Sequence, residues 1–69
     1  MEISGRNQLE AEVVRVRLGE VMAEVVMQLA GGQELVAAIT RSSAERLELA
    51  PGMKVFALVK ATEVMVGKP

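Results

Sequence analysis

The chain has 69 residues, 51% of them apolar, and a net charge of −1, which leaves room for one small domain, residues 1–69. It contains no cysteine and no histidine. That excludes disulfides, thiolate–zinc centres and most nucleophile and general-base arrangements. Eight basic and nine acidic residues are interspersed and Phe56 is the single aromatic, so a polybasic stripe and a base-stacking platform are both missing.

Leu9 to Leu18 opens the regular structure. Leu9, Ala11 and Val13 share one face and Glu10 and Glu12 the other. The phase then slips by one, with Val14, Val16 and Leu18 apolar and Arg15 and Arg17 polar, as a β-bulge would produce. Gly19-Glu20 supplies a turn into a second strand, Val21 to Leu29. Ala30-Gly31-Gly32-Gln33 closes a hairpin onto a third, Glu34 to Ile39. From Thr40 to Leu49 the alternation stops. Ser42 with Glu45 three residues later reads as a capping box, which predicts one short helix of about two turns. Pro51-Gly52 turns the chain into a fourth strand, Met53 to Ala61, and a short fifth runs from Glu63 to Val66. The expected fold is all-β: a small five-stranded OB-like barrel with one short helix between strands 3 and 4.

Three stretches are apolar on both faces: Val25-Val26-Met27, Val36-Ala37-Ala38-Ile39 and Val55-Phe56-Ala57-Leu58-Val59. A strand with one wet face alternates cleanly. In so short a chain the second cover is expected to be another subunit, and a core of this size alone supplies only about 3–5 kcal/mol. The expected state is an obligate homo-oligomer. No apolar run approaches membrane-spanning length and no apolar signal core opens the chain, so the expected location is cytoplasmic, with no membrane partner.

Two clusters carry chemistry that an anion would use. Ser4-Gly5-Arg6-Asn7-Gln8 combines a hydroxyl, a backbone without Cβ, an always-charged donor fork and two amides; the plain alternative is a solvated tail. Lys60-Ala61-Thr62 follows five apolar residues, and alone reads as a lysine capping a strand end. If the first and last strands meet, the two clusters form a donor-rich cradle, Glu63 apart, for a doubly charged tetrahedral oxyanion. Thr40-Arg41-Ser42-Ser43 offers hydroxyls at a helix start, where helix capping competes as the explanation. The Gly19-Glu20-Val21 turn offers backbone N–H groups for a possible second oxyanion site. Catalysis is not expected, nor are an organic cofactor or direct cation ligands.

Ser4-Gly5-Arg6-Asn7-Gln8, Ala37-Ala38-Ile39-Thr40 with the Ser42 helix start, and the segment from Lys60 to Gly67 resemble the Mop or molbindin family of small molybdate-binding proteins. The resemblance runs from Ile3 to Lys68. It implies a TOBE-type OB-like barrel, a hexamer built as a trimer of dimers, and molybdate or tungstate held between subunits for storage or homeostasis. By the same resemblance, Ser4, Gly5, Arg6, Thr40, Lys60, Ala61 and Thr62 are the binding positions, with a further threefold-axis site near Gly19–Val21. Gly5 stands where the family commonly has alanine. The rival readings are an OB-type nucleic-acid or protein-interaction module, or a regulatory domain of a molybdate transporter or regulator. The acidic balance and the lack of a basic stripe count against nucleic acid.

Overall fold

A computed structural model describes residues 6–69. Four antiparallel strands, β1 (Asn7–Leu18), β2 (Met22–Leu29), β3 (Glu34–Thr40) and β4 (Lys54–Val59), form one sheet in the order β3-β2-β1-β4. The short helix α1 (Arg41–Arg46) lies between β3 and β4, as expected.

The phase slip read in the first strand is a bulge. Val13 faces Met27 in the ladder and Arg15 faces Val26, which leaves Val14 as the extra residue. Ala11 and Val13 point into the core before it and Val16 after it, so the bulge restores the apolar face to the inside. Val13 also exchanges bonds with the Pro51-Gly52-Met53 turn: its N–H donates to the Met53 carbonyl at 2.8 Å, and the Gly52 N–H donates to its carbonyl at 2.8 Å. Gly52 adopts φ 92°, a conformation that favours a residue without Cβ. The sheet curls at this point around a core of Ala11, Val13, Val25, Met27 and Ala57. Leu35, Ala37, Ile39, Leu49, Met53 and Val55 pack against that core.

β2 is central and buries Val25, Val26 and Met27, so both of its faces are covered within the chain. β3 and β4 differ. Val36 remains 59% exposed, Phe56 52% and Leu58 48%, so the outer apolar face expected from sequence is present and open.

Two expectations are corrected. The helix is capped by Thr40 and not by Ser42. Thr40 has extended backbone, and its Oγ1 accepts from the Ser43 N–H at 3.1 Å. β3 runs one residue further than the alternation indicated, to the pair Met22–Thr40, and this fixes where the helix begins. The other correction is the fifth strand: among the described residues there are four. Ala61–Glu63 forms a single 3₁₀ turn, closed by the Glu63 N–H on the Lys60 carbonyl at 2.9 Å, which takes the chain off the β4 ladder. Val64 is extended but has no ladder partner among the described residues, and Met65 and Val66 are 93% and 95% exposed. With β3 and β4 unpaired at opposite edges, the described chain is a half-barrel and not a closed one.

Candidate functional site

The first strand meets the fourth, and not the fifth strand expected at Glu63 to Val66. The β1–β4 ladder runs from Glu12–Lys54 to Asn7–Val59, and the Asn7 side-chain amide donates to the Val59 carbonyl at 3.1 Å. Arg6 and Lys60 are each the next residue beyond that last pair, so two cations emerge side by side at one corner of the sheet. Both are exposed, and neither is ion-paired among the described residues. Lys60 also precedes the 3₁₀ turn, which carries Ala61 and Thr62 at the same corner. Glu63, exposed, is the carboxylate of this turn. Ser4 and Gly5 lie outside the described residues.

Thr40 is not at this corner. It pairs with Met22, beside the Leu18 end of β1, whereas Arg6 precedes the Asn7 end. The 12 residues of β1 between those ends amount to about 40 Å of extended chain. The Thr40 hydroxyl is already engaged, by the Ser43 N–H, by Ser43 Oγ at 2.8 Å and by Ser42 Oγ at 3.3 Å. Its neighbours in space are the residues of the β1–β2 turn. The Arg41 N–H donates to the Val21 carbonyl at 2.8 Å, and Arg41 Nη1 donates to the Gly19 carbonyl at 3.2 Å. Sequence reasoning grouped Arg41 with the cap hydroxyls and missed that it grips this turn. The available signal was Glu45 four residues on, whose carboxylate accepts from Arg41 Nε at 3.2 Å.

The sequence-predicted positions therefore fall into two groups at opposite ends of the sheet: Arg6 with Lys60, Ala61 and Thr62, and Thr40 with Gly19, Glu20 and Val21. Each group offers donors. A concavity of about 420 Å³ elsewhere, lined by Glu10, Glu12, Gln28, Lys54 and Phe56 among others, offers two carboxylates and is a poor host for an anion. Among the described residues no group of three or more His, Cys, Asp or Glu is placed to hold a metal ion, and no helix is long and apolar enough to cross a membrane.

Comparison with known proteins concerns the chain as a whole. The TOBE domain family matches residues 3–66. Molybdenum-pterin-binding protein 2 of Clostridium pasteurianum is 44% identical over 66 residues, which cover 96% of this chain and 97% of the relative. Molybdenum-pterin-binding protein MopA of Rhodobacter capsulatus is 52% identical over 96% of this chain, which spans 25% of the length of MopA. The solved structure of a molybdate-binding protein from Sporomusa ovata superposes with a TM-score of 0.92 at 59% identity, covering 99% of this chain and 100% of that one.

Proposed function

The chain belongs to the TOBE domain family, and from that premise we propose that it binds molybdate or tungstate between the subunits of a homo-oligomer, as a cytoplasmic store or buffer of the oxyanion. The observation that carries this reading is the end of the β1–β4 ladder, where Arg6 and Lys60 adjoin and neither is matched by a carboxylate in an ion pair among the described residues. The relatives' names, which specify molybdenum-pterin or molybdate binding, support the choice of ligand.

At that corner Arg6 and Lys60 offset the dianion's charge. The Ser4 and Thr62 hydroxyls and the backbone N–H groups at Gly5 and Ala61 donate to its oxygens. A charge-assisted bond strengthens as water is excluded, and burial between subunits provides that exclusion. A site of donors alone disfavours phosphate, which keeps a proton near neutral pH; sulfate is disfavoured by size, because molybdate is the larger ion. No bond of the ligand is made or broken.

The separation of the two groups supports an oligomer. Thr40 of one copy reaches the Arg6–Lys60 corner of another only if subunits pack end to corner, and a hexamer arranged as a trimer of dimers is the assembly proposed. Its interfaces take up the open apolar face of Val36, Phe56 and Leu58. The exposed segment 64–66, whose first residue Val64 is extended, supplies the fifth strand, and barrel closure, in that assembly.

Isothermal titration with molybdate, tungstate, sulfate and phosphate, on protein sized by light scattering, tests the proposal. Molybdate and tungstate should bind to a multi-subunit particle. Arg6→Ala and Lys60→Ala should each weaken that binding by about 10- to 100-fold, the worth of one charge-assisted bond. Heat from sulfate equal to that from molybdate, or full binding by both variants, refutes it.

A further inference from the structure

We propose that Asn7 is a positioning residue for the Arg6–Lys60 corner: its side-chain amide keeps two like charges opposite each other before an anion arrives. The inference rests on the reading above, which takes that corner as the oxyanion site.

Asparagine is a poor strand former, because its short polar side chain competes for nearby backbone groups. Here the side chain reaches across the sheet instead. Asn7 opens β1, and its Nδ2 donates to the Val59 carbonyl at 3.1 Å, between residues 52 positions apart in the chain. The bonding atom has to be Nδ2, since a carbonyl only accepts. Val59 ends β4 and is also the ladder partner of Asn7, so the amide adds a second tie at the last pair. Asn7 is half-buried, whereas the three residues after it are exposed. A bond partly withdrawn from water is the stronger for it.

The tie sits where the sheet is most easily opened. One step beyond the Asn7–Val59 pair, the same register sets Arg6 opposite Lys60. Like charges directly opposite on neighbouring strands repel, and the ends of elements are the first parts to fray. An anion between the two cations reverses that repulsion, but only after it has bound. In the empty protein the pair has to be held by something else, and the Asn7 amide is the group in place to do so.

Lys60 is thereby fixed from both sides. The carbonyl before it accepts from Asn7, and its own carbonyl accepts from the Glu63 N–H at 2.9 Å. Neither bond uses the Lys60 side chain, which stays available to a ligand. Asn7 gives no donor to the anion. It lowers the cost of ordering the corner at the moment of binding.

The test is a double-mutant cycle on the full chain, with molybdate titrated calorimetrically into wild type, Asn7→Leu, Lys60→Ala and the double variant. Leucine is close to asparagine in size and cannot donate. Asn7→Leu should weaken binding about tenfold, the loss of one hydrogen bond. Asn7→Gln keeps the amide and should recover most of that loss. On the Lys60→Ala background no second cation remains to be held, so Asn7→Leu should weaken binding by no more than about twofold. Equal losses on both backgrounds overturn the proposal, because the residue then supports the fold and not the pair.

A measurement without ligand separates the proposal from the reading it rests on. Exchange of the Val59 amide should be faster in Asn7→Leu than in wild type, and adding Lys60→Ala should slow it again. Wild-type exchange in Asn7→Leu overturns the proposal whether or not molybdate binds. Exchange as expected with no molybdate heat from wild type overturns the reading of the corner as an oxyanion site, and the part of Asn7 in binding with it. If the leucine variant does not fold, Asn7→Ala replaces it under the same criteria.

Discussion

Glu48→Gly should stabilise the protein, and the reason is in the backbone. α1 ends with the Glu48 N–H on the Glu45 carbonyl at 3.0 Å and the Leu49 N–H on the Ala44 carbonyl at 3.2 Å, the paired bonds of a Schellman motif. The motif needs a left-handed residue just past the cap, and Glu48 takes that role at φ 54°. Ala44 is buried and Leu49 packs against the core, so tertiary contacts hold the strained residue in place. A side chain in the left-handed region costs about 1–2 kcal/mol, and glycine returns about 0.5–1 kcal/mol of that through its freer unfolded chain. The net gain is about 0.5–1 kcal/mol. Glu48→Ala is the control, since it removes the same carboxylate and keeps the strained Cβ. Urea unfolding of all three proteins at one concentration should place Glu48→Gly clearly above Glu48→Ala, with equal m-values. A glycine variant no more stable than the alanine variant refutes the strain argument.

Two further changes are read by the same unfolding assay. Thr40→Ala should cost about 1 kcal/mol by removing the cap, Thr40→Ser should recover most of it, and Ser42→Ala should be near neutral; a larger loss at Ser42 than at Thr40 would return the cap to Ser42. Gly19→Ala should cost about 1–3 kcal/mol, because its Cβ meets backbone and not a flexible side chain, and unchanged stability would mean that the turn has room to yield.

What the sequence made legible was whatever a local period encodes. The slip between Val13 and Val14 located the bulge because side-chain direction alternates strictly along a strand, and any break in it has to be absorbed in the backbone. The Gly-Gly hairpin and the Pro-Gly turn were legible for a similar reason. Ser42 and Thr40 were both chemically competent caps, and what decided between them was the register of β3 against β2, a non-local fact. Segment 64–66 has strand-forming residues, but a strand also needs an edge to pair with, and composition does not name one. At the site, Arg6 and Lys60 were joined by one assumption, that first and last strands meet; the ladder that brings them together is instead with the fourth strand. Arg41 was hidden because its partners, Gly19 and Val21, act through carbonyl groups that every residue possesses.

Val14 has a consequence for how this chain tolerates change. Side-chain facing in β1 works as a parity, and Val14 is the one residue that flips it. Every position between Val14 and Leu18 presents its side chain according to whether that residue is counted. Pairing it into the ladder, with the bulge ironed out, would send Arg15 and Arg17 inward and Val16 outward without altering any residue. The strand thus behaves as two short words separated by a silent letter. Substitutions within either word are read locally, whereas counting the silent letter into the ladder rewrites the second word entirely.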